Sequence, residues 1–421
     1  MPPIRFIHAA DLHLDAAFSG LSRDIPADFA ERLRTATFTA FRRLLDLCER
    51  ESPDFLLLAG DVYNQEDASV SAQLALRDGF RRLESLSIPV FLVHGNHDPL
   101  ASRLRSVRWP GNVTVFGELP DAVPVFRKGE GTPLAMSHAS GRETRNLAAL
   151  FRRTEACGLH VGLLHATPGD ADGVARYAPF SQGDLKASGM DYWALGHIHD
   201  RREVCREPLA AYPGCTQGLH INEPGEKGCL LVTAEARPDG GYAVRTSFRP
   251  LGPAVWKTLD MDLGGAASLD ELENRLRTGL DRAAAEVWSG CEMLLVRLRL
   301  QGRTELDGLL RKGTTCAELA DRLREDGSGV PRIWIKDIDV ATRPCVERGA
   351  LLEREDLLGE VFRLSEAART ASGLQALREG PLAPLFAHAR AGKALEPLTD
   401  EELARLLDDA ESLCLDLLEN D

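Results

Sequence analysis

Ile4-Arg5-Phe6-Ile7-His8-Ala9, followed at once by Ala10-Asp11-Leu12-His13, is the stretch on which the fold turns. Six mostly apolar residues read as a buried strand, and a polar Asp-x-His pair stands just past its end. The arrangement recurs along the first half of the chain. Phe55–Ala59 runs into Gly60-Asp61, and Val90–His94 into Gly95-Asn96-His97-Asp98. His160–His165 ends on the His of Leu163-Leu164-His165-Ala166, and Tyr192–Gly196 runs into His197-Ile198-His199. Between these strands, Phe29–Arg50 and Ser69–Leu86 space apolar residues three and four apart, which predicts amphipathic helices. Alternating strand and helix points to an α/β domain. Open sheets of that class put their ligands beyond the carboxyl ends of the strands.

The five polar motifs therefore fall where a site belongs. Carboxylate, imidazole and amide oxygen together form a ligand set suited to manganese, iron or zinc. In Asp11-x-His13 and His197-x-His199, residues two apart in extended chain face the same side and can reach one ion pair. A single carboxylate such as Asp61 can bridge two cations held roughly 3.5–4 Å apart, which clamps a phosphate and activates a water. Any one of these histidines alone is more often an ordinary core or loop residue. The ordered set at strand ends is what carries the signal.

Bulk composition bounds the rest. At 421 residues the chain has room for two or three domains. Its 44% hydrophobic and 27% charged content is that of a soluble globular protein, and no run is long enough for a membrane span. The opening Met1-Pro2-Pro3-Ile4-Arg5 leads into a strand without a signal-peptide pattern. Nine scattered cysteines, an odd number without close pairs, argue against a disulfide framework or zinc ribbon and for reduced thiols in the cytoplasm. The net charge of −14 argues at first against a nucleic-acid partner. Residues 351–421, however, hold 7 Lys/Arg against 16 Asp/Glu, leaving 43 against 48 in the other 350 residues. Any DNA path must be local.

Shorter β pieces follow the motifs (Leu209–Tyr212, Cys229–Thr233, Tyr242–Phe248), then a break at Pro250-Leu251-Gly252-Pro253. Beyond it, Ala254–Asp262, Met293–Leu300 and Arg332–Ile338 read as strands and Leu269–Val287 and Thr315–Arg324 as helices, a smaller αβ domain at about 251–345. The remainder, 346–421, reads as an acidic helical tail with amphipathic stretches at 355–376 and 400–419. Thr399 and Glu402 form a capping-box signature there.

The ordered motifs resemble the calcineurin-like metallophosphoesterase superfamily. That implies a layered β-sheet core flanked by helices, and hydrolysis of phosphoesters. It also implies an ion assignment: Asp11, His13, Asp61 and His199 on one metal, and Asp61, Asn96, His165 and His197 on the other. His97 looks like the family's general acid or transition-state stabiliser, with Asp98 as its orienting partner. Gly95-Asn96-His97-Asp98, and Asp61 followed by Val62-Tyr63-Asn64-Gln65, argue against the protein Ser/Thr phosphatases. Three stretches are similar to SbcD-type DNA repair nucleases: Ile7–Asp15, Tyr192–His199 and Tyr212-Pro213-Gly214-Cys215-Thr216-Gln217-Gly218. Asn222-Glu223-Pro224-Gly225-Glu226-Lys227-Gly228 brings the chain closer to a YhaO-like bacterial branch.

This resemblance covers 1–250 well and fades beyond. It implies two divalent ions, manganese first with iron and zinc as alternatives, and phosphodiester cleavage at DNA ends. It further implies a capping domain over a DNA cleft and a partner ATPase of the SMC type with coiled-coil arms. Relatives of this type commonly form homodimers through the nuclease domain, where Phe29–Arg50 or Ser69–Leu86 would serve. One departure is Asn64, where archaeal and eukaryotic relatives place a His. Two other functions stay open on the same residues: a small-molecule or cyclic-nucleotide phosphodiesterase, and a non-catalytic scaffold for an ATPase. Arg103, Arg105, Arg108, Arg201 and Arg202 follow the motifs and are candidate phosphate contacts or solvated surface charge. Tyr177 and His220 read as loop residues that could reach the cleft, and Cys215 as a small buried residue. The tail helices either pack on the capping domain or dock a partner's coiled coil.

Overall fold

In β1 (Ile4–Ala9), alternate side chains enter two different cores: Ile4 and Phe6 one, Ile7 and Ala9 the other. That is the signature of a strand buried on both faces. The computed structural model describes residues 2–21, 25–63, 69–98, 107–118, 121–122, 131–135, 143–155, 158–169, 177–238, 240–325, 329–345, 348–387 and 398–418. Along the chain follow α1 (Ala27–Arg34), α2 (Ala36–Glu51), β2 (Phe55–Ala59), α3 (Val70–Ser85), β3 (Val90–Val93), β4 (Val113–Val115), β5 (Asp121–Ala122) and β6 (Gly131–Ala135). Then come β7 (Leu159–His165), α4 (Gln182–Ala187), β8 (Tyr192–Gly196), β9 (Arg202–Arg206), β10 (Leu209–Tyr212), β11 (Gly228–Ala236) and β12 (Tyr242–Pro250).

These strands form two six-stranded sheets, in the orders β12-β11-β1-β2-β3-β4 and β5-β6-β7-β8-β10-β9. β1 to β4 run parallel, as do β6, β7, β8 and β10. Phe6, Phe55 and Phe91 of the first sheet meet Val161, Leu163 and Tyr192 of the second in the central core. Phe41, Leu44, Leu76 and Phe80 of α2 and α3 cover the first sheet's outer face, while Phe151 and Leu185 lie against Trp193 and Leu195 on the second's. This helix–sheet–sheet–helix layering sets parallel strands from both sheets side by side, with their carboxyl ends at one edge.

A third sheet has the order β13-β14-β15, from β13 (Ala254–Asp262), β14 (Met293–Thr304) and β15 (Arg332–Pro344), interleaved with α5 (Leu269–Glu286), α6 (Asp307–Leu310) and α7 (Thr315–Glu325). Trp256, Met293, Leu295 and Trp334 of this sheet pack on Phe29 and Leu33 of α1. The described chain divides into two compact units, one of residues 1–262, 270–300 and 310–341, the other of 263–269, 301–309 and 342–421. The second contains α8 (Arg348–Leu352), α9 (Leu357–Ala368), α10 (Ala371–Glu379), α11 (Ala383–Ala387) and α12 (Asp400–Leu418). Its core is Leu351, Leu358, Phe362 and Leu415, beside a network in which Arg348 and Arg369 share Glu411. Thr399 and Glu402 make the expected reciprocal cap.

The expected helix over Phe29–Arg50 is two helices. Thr35 interrupts it with φ −96° and ψ 2°, its hydroxyl donating to the carbonyls of Glu31 and Arg32. Such side-chain bonds compete with the helical ladder. The helix expected over 355–376 is likewise broken, and Thr370 caps α10 by accepting from Gly373 N–H. β11 and β12 outrun their expected ends because their ladder continues from Gly228↔Pro250 to Ala236↔Tyr242. No described helix is long and apolar enough to cross a membrane, and the eight described cysteines are free thiols.

Candidate metal centre

Asp11 and His13 lie just past β1, Asp61 past β2, Asn96 past β3, and His197 and His199 past β8, while His165 ends β7. The chain makes these turns under strain. Asp11, His13, Asp61 and His197 all have positive φ, at 50°, 41°, 49° and 104°. For side-chain-bearing residues that is costly, and it persists where a site demands it. Glycines make the close packing possible: a Cβ on Gly95 would lie 2.3 Å from Asp61 Oδ1, and one on Gly60 2.5 Å from His165 Nδ1.

The turns bring all seven expected ligands together. Ligand atoms of Asp11, His13 and His199 lie within 4.8 Å of one another, as do those of Asp61, His165 and His197. Asn96 Oδ1 stands 3.0 Å from both His165 Nε2 and His197 Nδ1. Asp61 Oδ2 is 3.2 Å from His165 Nε2 and 4.0 Å from His13 Nε2, so its carboxylate faces both groups. His13 Nε2 and His199 Nε2 are 3.1 Å apart. About 3 Å is the separation of neighbouring ligand atoms around an ion with bonds near 2.1 Å. The donor set and its spacing fit two cations.

Electrostatics agree. Burial drives the Asp11 carboxyl up, to about 6, against the pull of His165 and His199. Burial also works against Asp61, yet His165 and His13 hold it well below the usual carboxylate range. The His165 ring would be lowered by burial, but Asp61 and Asp11 lift it to about 9. Carboxylates that hold a proton on a buried imidazole form a cavity that attracts positive charge.

His97 is exposed beside this cluster. Its backbone N–H donates to Asp61 Oδ1 at 2.9 Å, and its ring sits edge-on to His13. Asp98 is not seated as the expected partner of that ring. Its oxygens accept from the backbone of Gly95 (2.7 Å) and Val62 (3.1 Å), with His94 Nδ1 at 3.4 Å. The local backbone donors capture it, so it holds the motif loop and not the imidazole. Tyr177 stands edge-on to His197 at 4.8 Å, on the cluster's rim. His220 accepts from Asn222 N–H, and its Nε2 lies 3.4 Å from where a Cβ on Gly20 would be. Arg201 and Arg202 lie over the rings of Phe248 and Tyr212, and Arg108 is exposed. Asn64, Arg103 and Arg105 lie outside the described residues. Burial pushes the Cys215 thiol well up, keeping it protonated as a small buried residue should be.

Glu223 was not anticipated. Its Oε1 is 2.6 Å from His199 Nδ1, and burial, which would raise its carboxyl, is outweighed by that bond, bringing it to about 2. The Asn-Glu-Pro-Gly-Glu-Lys-Gly motif held the signal, and Lys227 of the same motif donates to the His199 carbonyl at 3.0 Å.

Residues 4–201 match the calcineurin-like phosphoesterase family, and residues 256–343 match the middle domain of metallophosphoesterase YhaO. The chain is 33% identical over 386 residues to the uncharacterized metallophosphoesterase YhaO of Bacillus subtilis, covering 90% of this chain and 91% of that protein. It is 28% identical over 316 residues to the DNA double-strand break repair protein Mre11 of Aeropyrum pernix, covering 68% of this chain and 69% of that one. Similarity to YhaO along nearly the whole length, and the match of residues 4–201 to the family, place this chain among the calcineurin-like metallophosphoesterases, hydrolases built around a dinuclear metal centre.

Proposed function

We propose that the protein is a manganese-dependent DNA exonuclease, cleaving phosphodiesters at DNA ends. The observation that carries this reading is the exposed His97 ring standing over a buried two-group ligand cluster, in a chain similar to Mre11 over 68% of its length. Asp11, His13, Asp61 and His199 would hold one ion, and Asp61, Asn96, His165 and His197 the other. Bound there, the pair supplies Lewis acidity toward phosphoryl oxygens and a water of lowered pKa. The protein's own contribution is placement. Asp61 keeps both ligand groups in register, Asp98 fixes the loop that carries Asn96 and His97, and His97 delivers a proton or a hydrogen bond to the leaving oxygen.

In this reading residues 1–250 form the nuclease domain, 251–345 a capping domain that walls a cleft, and 346–421 a tail that docks an SMC-type coiled-coil ATPase. α12 supports the last assignment. Leu403 and Leu415 face its own unit's interior, while Leu406, Leu413 and Leu417 are 46%, 59% and 67% exposed on another side. The exposed Asp409 beside them suits a basic partner helix. Free thiols accord with the cytoplasm.

The test is digestion of end-labelled single- and double-stranded DNA with Mn²⁺, beside a cyclic-nucleotide substrate. Release of nucleotides from the labelled ends is expected. Intact DNA with rapid cyclic-nucleotide turnover would replace this reading with a small-molecule phosphodiesterase.

A further inference from the structure

The His199 ring is gripped from both sides. Its Nε2 faces inward, 3.1 Å from His13 Nε2 and 4.0 Å from Asp11 Oδ1. Its Nδ1 faces outward, 2.6 Å from Glu223 Oε1. Glu223 is itself fixed, because its second oxygen accepts from Leu219 N–H at 2.7 Å and its own N–H donates to the His220 carbonyl at 2.9 Å. The backbone of His199 is held independently, by Lys227 Nζ on its carbonyl and by Gly214, where a Cβ would come within 2.7 Å of that oxygen. A carboxylate at hydrogen-bond distance from one ring nitrogen requires the proton there. The lone pair is then left on the other nitrogen, which is the one turned toward Asp11 and His13.

We propose that Glu223 is a positioning residue of the metal centre: it locks His199 in the Nδ1–H tautomer, with Nε2 presented as a ligand to the ion shared with Asp11 and His13. This rests on the reading of those three residues as metal ligands. A carboxylate behind a ligating imidazole also raises its basicity, and loss of such a partner typically weakens metal binding about 10- to 100-fold. In this arrangement Glu223 stands behind His199, on the side of the ring away from Asp11 and His13, so its effect belongs in the binding of one ion and not the other.

The test is Mn²⁺ binding to the full chain after chelation, followed by calorimetry and by the electron paramagnetic resonance of free Mn²⁺. Wild type is expected to take up two ions. Glu223→Ala should weaken one of them by about 10- to 100-fold and leave the other within about threefold. Glu223→Gln keeps the side chain's length and one acceptor oxygen, preserves the loop, and should weaken the same ion by a smaller factor. Glu226→Ala lies in the same loop but bonds Trp288 N–H instead, and should bind as wild type does. ¹⁵N NMR should show the His199 proton on Nδ1 in wild type and a mixture of tautomers in Glu223→Ala. Unchanged binding of both ions in Glu223→Ala and Glu223→Gln overturns the proposal alone, as does an equal loss in Glu226→Ala. Failure of wild type to bind two ions overturns the ligand assignment, and this proposal with it.

Discussion

The backbone N–H of His197 lies 3.1 Å from each carboxylate oxygen of Asp11, joining the end of β8 to the end of β1 across the two sheets. In the proposed metal centre Asp11 is both a ligand and the clamp that holds His197 at φ 104°. Asp11→Asn keeps the shape but removes the charge and sets an NH2 against that N–H. Binding of Mn²⁺ at a hundredfold excess over its Kd should stabilise wild type by about 2.7 kcal/mol. Most of that rise in Tm should vanish in Asp11→Asn, measured by thermal melts with and without Mn²⁺. An equal rise in both proteins would remove Asp11 from the ligand set.

His97 is exposed, and its hydrogen bond to Asp61 comes from the backbone. His97→Ala should therefore keep its bound metal while its turnover falls about 10²- to 10⁴-fold, the usual contribution of a proton-transferring side chain. Metal analysis beside a nuclease assay separates the two. Wild-type digestion by this variant would strip His97 of its role.

Gly196 has no room for a side chain, since a Cβ there would lie 1.8 Å from the Ala59 carbonyl oxygen. That contact is between backbones of two sheets and cannot be relieved by a rotamer change. Gly196→Ala should cost about 3 kcal/mol or more in urea unfolding. Gly117, with nothing within 4 Å of its Cβ position, provides the control: Gly117→Ala should stay within about 0.5 kcal/mol.

His8 sits in the central layer, fully buried, with Nδ1 at 2.9 Å from the Tyr192 hydroxyl and Nε2 at 3.2 Å from the Leu195 carbonyl. Burial drives its pKa from 6.5 to about 3, only partly opposed by the Leu195 bond. Between those values the unfolded chain binds a proton that the native state refuses. The stability due to neutral His8 is therefore complete above about pH 6.5 and declines toward pH 3, by up to about 1.4 kcal/mol per pH unit. His8→Gln cannot titrate, so its stability should fall less steeply than that of wild type in urea melts of metal-free protein from pH 7 to 4. Parallel slopes would contradict the assignment.

The exposed leucines of α12 should matter little to folding. Leu413→Ser with Leu417→Ser is expected to leave Tm within about 2 °C, because neither side chain is buried in its own unit. Capture of a purified coiled-coil ATPase partner should be lost. Retained capture would send the docking surface elsewhere.

Why some of this was legible in the sequence and some not follows from range. Strand ends and Asp-x-His or His-x-His spacing are local, and the seven residues that cluster could be named before any contact was seen. The break at Thr35 was hidden because the apolar spacing continues through it, and a single hydroxyl decides it. Asp98 was assigned to the neighbouring ring when backbone donors 3 and 36 residues away claim it. Glu223 reaches His199 across 24 residues through a turned loop, and no periodicity encodes such a meeting.

The loop that carries Glu223 has a second attachment. Gly225 N–H donates to the Trp256 carbonyl, Trp256 Nε1 to Gly218, and Gln217 exchanges two bonds with Ala254, so the loop is stitched to the first strand of the third sheet. The segment that bonds His199 is thus also bonded to the neighbouring sheet. If Glu223 positions His199 as proposed, a change in the first strand of the third sheet should be felt at that imidazole through these bonds.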